Sequence, residues 1–446
     1  MNTRAMLVVS AALALGVGAV SAVEITPVPP QATRRIATVQ VRVAPERPDW
    51  TYAVGEPARF LVSVTADNQP LEGAVVTYSV GPERMPAEKR TLAVPRAGAI
   101  IDGGTMREPG FLRCVVETEV AGRAYRSVAT AAFSPEKLTP WQTEPEDFDA
   151  FWEKGRAALA KIPLEARLTL LPEACTDKVD VYHVSFRNLP NPWGGKTQVY
   201  GILCEPKAPG KYPAILRLPG AGVRPYTGDR DTAARGAITL QIGIHGIPVN
   251  LPSTIYDELN VGALFRYQRF NLDDREAYYY RRVVLGCLRA NDFLVSRPAW
   301  DGKHLIASGA SQGGWLALAT TALDRRVTGL TVMHPGMCDM TADFHGRAGG
   351  WPRPFSPDEK AENSAAKIAT TTYYDGVNFA RRIKVPGFYT WGFNDEVCAP
   401  TSIYAAYNLI TAPKELGLTL ELGHAYTSEQ WDAVQDWIAR ATGLGR

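Results

Sequence analysis

The sequence predicts an all-β sandwich followed by an α/β domain whose mostly parallel sheet is covered by helices. Residues 36–134 contain short segments with the alternation of strands, whereas strands and helices alternate through residues 146–446. A polar, proline-bearing linker at 135–145 separates the two patterns. The length of 446 residues also favours two or three domains over one.

The first 22 residues are typical of a secretory signal peptide. Arg4 supplies a positive start, residues 6–20 are apolar, and Val20-Ser21-Ala22 is a small-residue cleavage site, so we expect cleavage after Ala22. The apolar run is shorter than the about 20 residues that span a bilayer, and no later stretch is long and apolar enough. A Pro-rich leader follows at 23–35. We therefore expect a periplasmic or secreted protein.

Residues 36–134 alternate apolar and polar side chains in short runs. Thr38 to Val43 and Phe60 to Val64 show this pattern, and turn signals such as Asp67-Asn68 separate the runs. Roughly seven short strands over about 100 residues indicate an immunoglobulin-like sandwich. The Cys…Trp…Cys pattern of a true immunoglobulin domain is missing, so only a likeness is predicted.

After residue 146 the sequence has the alternation that a helix-covered parallel sheet requires. The first helix, over 146–162, has Phe148, Phe151 and Trp152 on one face. The further predicted elements are strands at 214–218 and 237–244, a helix at 278–295, a strand at 305–308, a helix at 313–323, strands at 388–391 and 418–421, and a helix at 428–442.

Charge and cysteine content exclude some classes of function. The formal net charge is only +2, and like charges form no long run, which argues against nucleic acid and against a membrane surface held by charge. The six cysteines include no Cys-x-x-Cys pair, so we predict no metal site. We also expect no cofactor. Buried free thiols are favoured over disulfides, although the predicted compartment permits both.

Gly309-Ala310-Ser311-Gln312-Gly313 has the Gly-x-Ser-x-Gly pattern of a serine nucleophile. A predicted strand precedes it and an Ala- and Leu-rich helix follows, which is the setting of a nucleophile elbow in an α/β-hydrolase fold. Such a turn is tight, and the two glycines supply the small residues that it needs. A serine that merely caps a helix is the alternative.

A serine hydroxyl needs a base to take its proton and a carboxylate to orient that base. In α/β-hydrolases the three residues follow the chain order serine, acid, histidine. Of the six histidines only His424 lies late in the chain, just before the closing helix. Asp395 follows a late predicted strand, and we favour it as the acid over its neighbour Glu396 and over Asp375 and Asp432.

The tetrahedral intermediate of ester hydrolysis needs backbone N–H donors for its oxyanion. Gln312, directly after the nucleophile, is predicted to supply one donor. The segment Pro219-Gly220-Ala221-Gly222 follows a buried strand, so by position Ala221 supplies the other and Gly220 belongs to the substrate pocket. A plain glycine turn is the alternative.

Several segments in the right order resemble carbohydrate esterase family 7, the acetyl xylan esterase and cephalosporin C deacetylase group. The resemblance covers roughly two thirds of the chain, from about Pro145 onward. The matching segments are 145–152, 278–283, the Gly-x-Ser-Gln-Gly signature at 309–313, 395–402 with 405–408, 414–415 and 423–424. The resemblance implies deacetylation of acetylated sugars by a Ser–Asp–His triad, which on matching positions is Ser311, Asp395 and His424.

The sequence departs from the family pattern near this site. The family's second oxyanion donor is a tyrosine backbone N–H in a His-Gly-Tyr segment, which stands here as Pro219-Gly220-Ala221. The family's Arg-Gly-Gln stands here as His245-Gly246-Ile247. His245 is therefore either a substrate contact in the pocket or, as we favour, a structural replacement for the arginine. Members of the family form ring-shaped hexamers. The resemblance therefore keeps a homo-oligomer as one of the states that this chain could adopt.

We predict a periplasmic or secreted serine esterase that removes O-acetyl groups from an oligosaccharide or polysaccharide. Two alternatives stay open. A hydrolase with the same triad could instead be an exopeptidase or a sugar-acid methyl esterase. The chain could also be a glycan-binding protein whose hydrolase domain is inactive.

Overall fold

The structure is a computed structural model that describes residues 38–190, 194–356 and 364–445. The predicted signal peptide at 1–22 and leader at 23–35 lie outside these residues. Residues 39–446 form one compact unit. Within the described ranges, no helix combines the length and the apolar character needed to cross a membrane.

Residues 39–133 fold into two sheets whose strands pair almost entirely antiparallel. The strands are β1 (Val39–Pro45), β2 (Thr51–Tyr52), β3 (Ala58–Ala66), β4 (Gln69–Pro70), β5 (Ala74–Pro82), β6 (Lys89–Val94), β7 (Ala99–Gly104), β8 (Gly110–Val120) and β9 (Arg123–Phe133). One sheet has the order β1-β3-β4 with β7 also paired to β3, and the other β2-β9-β8-β5-β6. In β3, Phe60, Val62 and Val64 are buried between more exposed neighbours, as alternation predicts. The immunoglobulin-like topology stays a prediction.

The second part contains a nine-stranded mixed sheet. Its strands are β10 (Arg167–Leu170), β11 (Val179–Asn188), β12 (Thr197–Pro206), β13 (Tyr212–Leu218), β14 (Ile238–Gly243), β15 (Trp300–Ala310), β16 (Gly329–Met333), β17 (Gly387–Trp391) and β18 (Lys414–Leu418), in the spatial order β10-β11-β12-β14-β13-β15-β16-β17-β18. The pairs from β14 to β18 are parallel and the others antiparallel. Strands β16 and β17 are buried along their whole length. This is expected for inner strands of a parallel sheet that has helices on both faces. The predicted α/β architecture is confirmed.

Helices follow most of the parallel strands. The described helices are α1 (Phe148–Ala160), α2 (Arg230–Ala234), α3 (Ser253–Val261), α4 (Tyr279–Val295), α5 (Gln312–Leu323), α6 (Ala365–Thr372), α7 (Gly376–Ala380), α8 (Pro400–Tyr407) and α9 (Ser428–Thr442). Helix α5 is apolar almost all round and lies buried against the sheet. Helix α9 begins at a capping box in which Thr427 and Gln430 bond each other's backbone N–H, so its predicted start at residue 428 has a local cause.

The strand predicted at 418–421 is wrong, because β18 pairs with β17 only as far as Leu418. The chain then turns, and the carbonyl oxygens of Leu420 and Leu422 accept hydrogen bonds from the backbone N–H groups of Phe393 and Asn394 at 3.0 and 3.1 Å. These bonds join the segment before His424 to the loop after β17.

The segment predicted as a linker, 135–145, packs onto the α/β part. The backbone N–H groups of Trp141 and Gln142 each donate to Asp339 Oδ1 at 2.8 Å. The Gln142 side chain is buried and donates to Asp375 at 3.1 Å. These bonds fix the path between the two parts of the chain.

The six cysteines are free thiols in the structure, and all but Cys175 are buried. Burial raises the pKa of Cys114, Cys204 and Cys287 to about 12. These thiols therefore stay protonated at neutral pH and lack the character of nucleophiles.

Candidate active site

Ser311 lies in the sharp turn between β15 and α5, with φ 58° and ψ −125°. A residue other than glycine rarely adopts this backbone conformation. The nearby glycines leave the room that the tight turn needs. A Cβ at Gly309 would lie 2.3 Å from the Gly313 carbonyl oxygen, and one at Gly313 would lie 2.2 Å from that of Leu218. Although Ser311 precedes α5, its side chain makes no capping hydrogen bond. This geometry disfavours the helix-cap alternative.

Ser311, His424 and Asp395 form a continuous chain of hydrogen bonds. His424 Nε2 lies 3.0 Å from Ser311 Oγ, and its Nδ1 lies 2.8 Å from Asp395 Oδ2. Because a carboxylate only accepts, Nδ1 carries the proton, which leaves the Nε2 lone pair facing the serine hydroxyl. Asp395 is fully buried, and its Oδ1 accepts from the backbone N–H groups of Val397 and Cys398, both at 2.8 Å. The carboxylate is thus held from behind while it orients the imidazole.

The other candidate acids have different partners. Glu396 points away from His424 and forms two hydrogen bonds with Arg126, at 2.6 and 2.8 Å. Asp375 is buried at the start of α7, where it accepts from the N–H of Val377. Asp432 is exposed on α9. Among these four carboxylates, Asp395 is the one hydrogen-bonded to His424.

The loop after β13 passes beside Ser311. A Cβ at Gly220 would lie 3.6 Å from the Ala310 carbonyl oxygen and 4.0 Å from Ser311 Cβ, so this loop and the start of α5 flank the serine. The buried side chain of Gln312 accepts from the hydroxyls of Tyr267 and Tyr280 at 2.7 and 2.6 Å, which fixes the first residue of α5. The two predicted donors, the N–H groups of Ala221 and Gln312, thus belong to backbone on either side of the nucleophile.

His245 supports this loop from behind. Its Nε2 donates to the Gly222 carbonyl at 3.0 Å, so Nδ1 accepts from the Tyr279 hydroxyl at 2.7 Å. Burial lowers the pKa of His245 to about 4, so the ring is neutral at neutral pH. The side chain does not line the cavity that contains Ser311. The substrate contact predicted as one role for His245 is therefore disfavoured, and the structural role fits its contacts.

A cavity of about 710 Å³ opens over Ser311 and His424. Gly220 and Ala221 form part of its wall, and a role of Gly220 in binding substrate stays a prediction. Its aromatic wall consists of Tyr226, Trp351, Tyr426 and Trp431. Sequence reasoning missed these rings because three come from loops and Trp431 from α9, and the four share no local pattern.

His334 is a further residue that sequence reasoning missed. It follows β16, and the centroid of its ring lies 4.6 Å from that of His424. Burial, and secondarily the nearby His424, lower the pKa of His334 to about 4. The neutral ring therefore packs against the base without placing a second charge beside it. Among the described residues, no group of three or more His, Cys, Asp or Glu side chains is arranged to hold a metal ion.

Comparisons with known proteins identify esterases that are similar to this chain. Residues 135–441 match the family model described as acetyl xylan esterase (AXE1). The chain is 38% identical over 408 residues to the acetyl esterase Axe7A of Xylanibacter ruminicola, and the match covers 89% of each chain. The acetyl xylan esterase from Paenibacillus sp. R4 superposes with a TM-score of 0.56 at 27% identity, covering 69% of this chain and 98% of its own. Acetyl xylan esterase 1 from Thermoanaerobacterium sp. JW/SL YS485 has the same fold, with a TM-score of 0.58, 22% identity and coverages of 69% and 97%.

These matches confirm the predicted resemblance and reach beyond it. Because residues from 135 onward make up about seven tenths of the chain, the match to Axe7A extends into the N-terminal sheets. The family match spans the whole mixed sheet and every residue of the Ser311 site. The chain therefore belongs to the acetyl xylan esterase family and is a carboxylic ester hydrolase.

Proposed function

We propose that the protein is a serine esterase that removes O-acetyl groups from carbohydrates through an acyl-enzyme. The observation that carries this proposal is the chain of hydrogen bonds from Asp395 through His424 to Ser311, at the wall of an open cavity. The names of the relatives, an acetyl esterase and acetyl xylan esterases, support acetylated xylan or a similar glycan as the substrate.

In the first step Ser311 Oγ attacks the acetyl carbonyl while His424 Nε2 takes the hydroxyl proton. Asp395 stabilises the resulting imidazolium, and the N–H groups of Gln312 and Ala221 stabilise the oxyanion. A donor of this kind contributes about 100- to 1,000-fold to the rate in other hydrolases. The position of Ala221 beside the nucleophile is consistent with this role.

The intermediate then collapses and the bond to the sugar oxygen breaks. His424 gives its proton to that oxygen, so a sugar hydroxyl leaves and an acetyl group remains on Ser311. His424 next deprotonates a water that attacks the acyl carbonyl. Acetate leaves as the proton returns to Ser311 Oγ, which restores the enzyme.

The wall of the cavity supports a sugar as the leaving group. Tyr226, Trp351, Tyr426 and Trp431 give the wall apolar ring surface, against which the C–H faces of a pyranose ring can pack. Arg217 lies over the Trp431 ring at 5.1 Å and pairs with Asp229 at 2.7 Å. The wall thus combines apolar ring surface with partly buried polar groups, the composition that a sugar with both kinds of surface requires.

Acetate release from a panel of acetylated oligosaccharides and polysaccharides tests the proposal, with Ser311→Ala as the control variant. We expect release from acetylated xylo-oligosaccharides and a loss of about a million-fold in kcat for Ser311→Ala. A chromogenic acetate should give a burst of one equivalent per site if the acyl-enzyme accumulates. A Ser311→Ala protein with the wild-type rate would refute the nucleophile. A stronger preference for peptides or for methyl esters of sugar acids would replace the substrate class, and glycan binding without turnover would favour the inactive alternative.

We also propose that the mature protein is secreted or periplasmic. The support is the sequence of residues 1–22, with its positive start, apolar run and small-residue cleavage site. The N-terminal sequence of the protein recovered outside the cytoplasm should begin at Val23. Recovery of the intact chain from the cytoplasm alone would contradict this.

A further inference from the structure

We infer that the N-terminal sheets position the triad acid through Arg113 of β8, which holds the backbone of the acid loop. The inference rests on the proposed function, since it concerns how Asp395 is held against His424. Nothing in a family match to residues 135–441 assigns a role to residue 113.

Arg113 reaches out of the N-terminal sheets to the backbone of the acid loop. Its Nη2 donates to the carbonyl oxygens of Phe393 and Asp395, at 3.1 and 3.0 Å. The side chain is only 6% exposed, so these bonds form away from water. The contact fixes the backbone of the residue whose side chain orients the base.

The guanidinium is itself held by buried partners. Glu83 Oε1 accepts from it at 2.7 Å and Thr130 Oγ1 at 3.0 Å. The other oxygen of Glu83 accepts from the N–H and hydroxyl of Thr401, at 3.1 and 2.7 Å, at the start of α8. Glu83 and Arg113 therefore link both ends of the loop that runs from Phe393 to Thr401.

A second contact from the same sheet reaches the neighbouring residue. Thr130 Oγ1 donates to Asn394 Oδ1 at 3.0 Å, and Asn394 Nδ2 donates to the carbonyls of Val128 and Glu421, at 2.8 and 3.1 Å. Since Glu421 lies three residues before His424, this network connects β9 to the segments that carry both the acid and the base. This network therefore fits a positioning role better than a contact that only holds the two parts of the chain together.

The same face offers a matched control. Arg126 contacts Glu396 in the same loop, but both side chains are 44% exposed and the bonds go to the Glu396 carboxylate. They do not involve the backbone of Asp395. An exposed pair of this kind holds its loop weakly.

The test is Arg113→Met combined with Glu83→Gln, which removes the donors without leaving a buried charge unpaired. Rates are measured per active site by burst titration, with the pH profile of kcat/KM and the melting temperature.

We expect kcat to fall about 10- to 100-fold with KM little changed, because the acid is displaced from the base. The pH profile of kcat/KM should also change, because Asp395 is displaced from its hydrogen bond with His424. Arg113→Lys keeps the cation and should restore part of kcat, and Arg126→Ala should change neither kcat nor the profile.

A double variant with wild-type kcat per site and an unchanged profile would overturn the inference, even if its melting temperature fell. If the double variant fails to fold, kcat per site and the pH profile of Arg113→Lys test the inference instead. A lysine can donate to fewer acceptors than the planar guanidinium, so it holds the acid loop less completely. Ser311→Ala separates this outcome from failure of the proposed function. An active Ser311→Ala refutes the function itself, whereas an inactive one beside unaffected Arg113 variants refutes only the positioning role.

Discussion

Two neighbouring carboxylates in the loop after β17 have opposite surroundings. Asp395 is fully buried and accepts two backbone N–H groups on the oxygen that does not face His424. Glu396 faces solvent, and Arg126, through its hydrogen bonds and its charge, lowers the pKa of this carboxyl. Chain position alone allows either residue as the acid, and the environment distinguishes them.

This difference predicts unequal effects of isosteric substitutions. Asp395→Asn should lower kcat about 10,000-fold, because an amide in that place favours the wrong tautomer of His424. Glu396→Gln should change kcat by less than about twofold, since it removes only an exposed ion pair. Steady-state kinetics on a chromogenic acetate measures both. Equal losses in the two variants would contradict the assignment of the acid.

The buried histidines predict a loss of stability in mild acid. The pKa values of His245 and His334 are lowered to about 4 in the folded protein, against about 6.5 for an unperturbed histidine. Between these values the unfolded chain binds more protons, so folded-state stability is complete above about pH 6.5 and declines as pH falls toward about 4. Each histidine contributes about 3 kcal/mol to the full decline.

Urea unfolding at pH 7 and at pH 4.5 measures the effect. His245→Gln should reduce the decline between the two pH values, because one of the rings with a lowered pKa is gone while an amide can still donate to Gly222. His304→Gln, at a half-buried histidine whose Nδ1 bonds Asp301 at 2.7 Å, serves as a comparison at another position. A His245→Gln protein with the full wild-type decline would show that this ring is not responsible.

At the scale of elements, the turn between β15 and α5 depends on two glycines. The backbone atoms that a Cβ would meet are 2.2 to 2.3 Å away, and backbone cannot rotate aside as a flexible side chain can. The glycines thus allow β13, β15 and α5 to approach as closely as the turn requires.

Gly313→Ala should therefore destabilise the protein by several kcal/mol and abolish activity, because its Cβ would overlap the Leu218 carbonyl. Gly220→Ala is the matched control for folding, since its Cβ would meet ordinary contacts at 3.6 and 4.0 Å. Melting temperature and acetate release are measured for both. A Gly313→Ala protein with normal stability would contradict the tight packing of the turn.

Elements with a local cause were predictable from the sequence, and those fixed by distant partners were not. The closing helix begins where predicted because its capping box lies within four residues. The strand at 418–421 was misplaced because Leu418 and Leu420 continue an alternating pattern, whereas the end of β18 is set by the length of β17 and by bonds to Phe393 and Asn394.

The candidate site divides in the same way. Chain order and the Gly-x-Ser-x-Gly turn led to Ser311, Asp395 and His424, which the structure brings into contact. Arg113 and His334 carry no such signal, because each meets the site only through folding of segments far apart in the chain.

At the scale of the whole molecule, the N-terminal sheets and the mixed sheet share one apolar core. Phe111 of β8 packs edge-on against Phe393 with ring centroids 5.1 Å apart, and both rings are buried. The Glu83–Arg113 ion pair lies in the same contact, with both side chains almost fully buried. Separating the two parts would expose this apolar surface and leave the buried polar groups without partners, which is costly.

The two parts should therefore unfold together, although chains of several domains often do not. Calorimetry of the mature chain should show one transition, and esterase activity should be lost within it rather than after it. Replacing Phe111 by Ala should lower the single melting temperature, because it removes a buried ring from the shared contact. The same change at Leu61, which is 45% exposed on β3, should have little effect. Two resolved transitions in the wild-type protein, with activity following only the second, would show that the N-terminal sheets fold apart from the esterase and do not stabilise its acid loop.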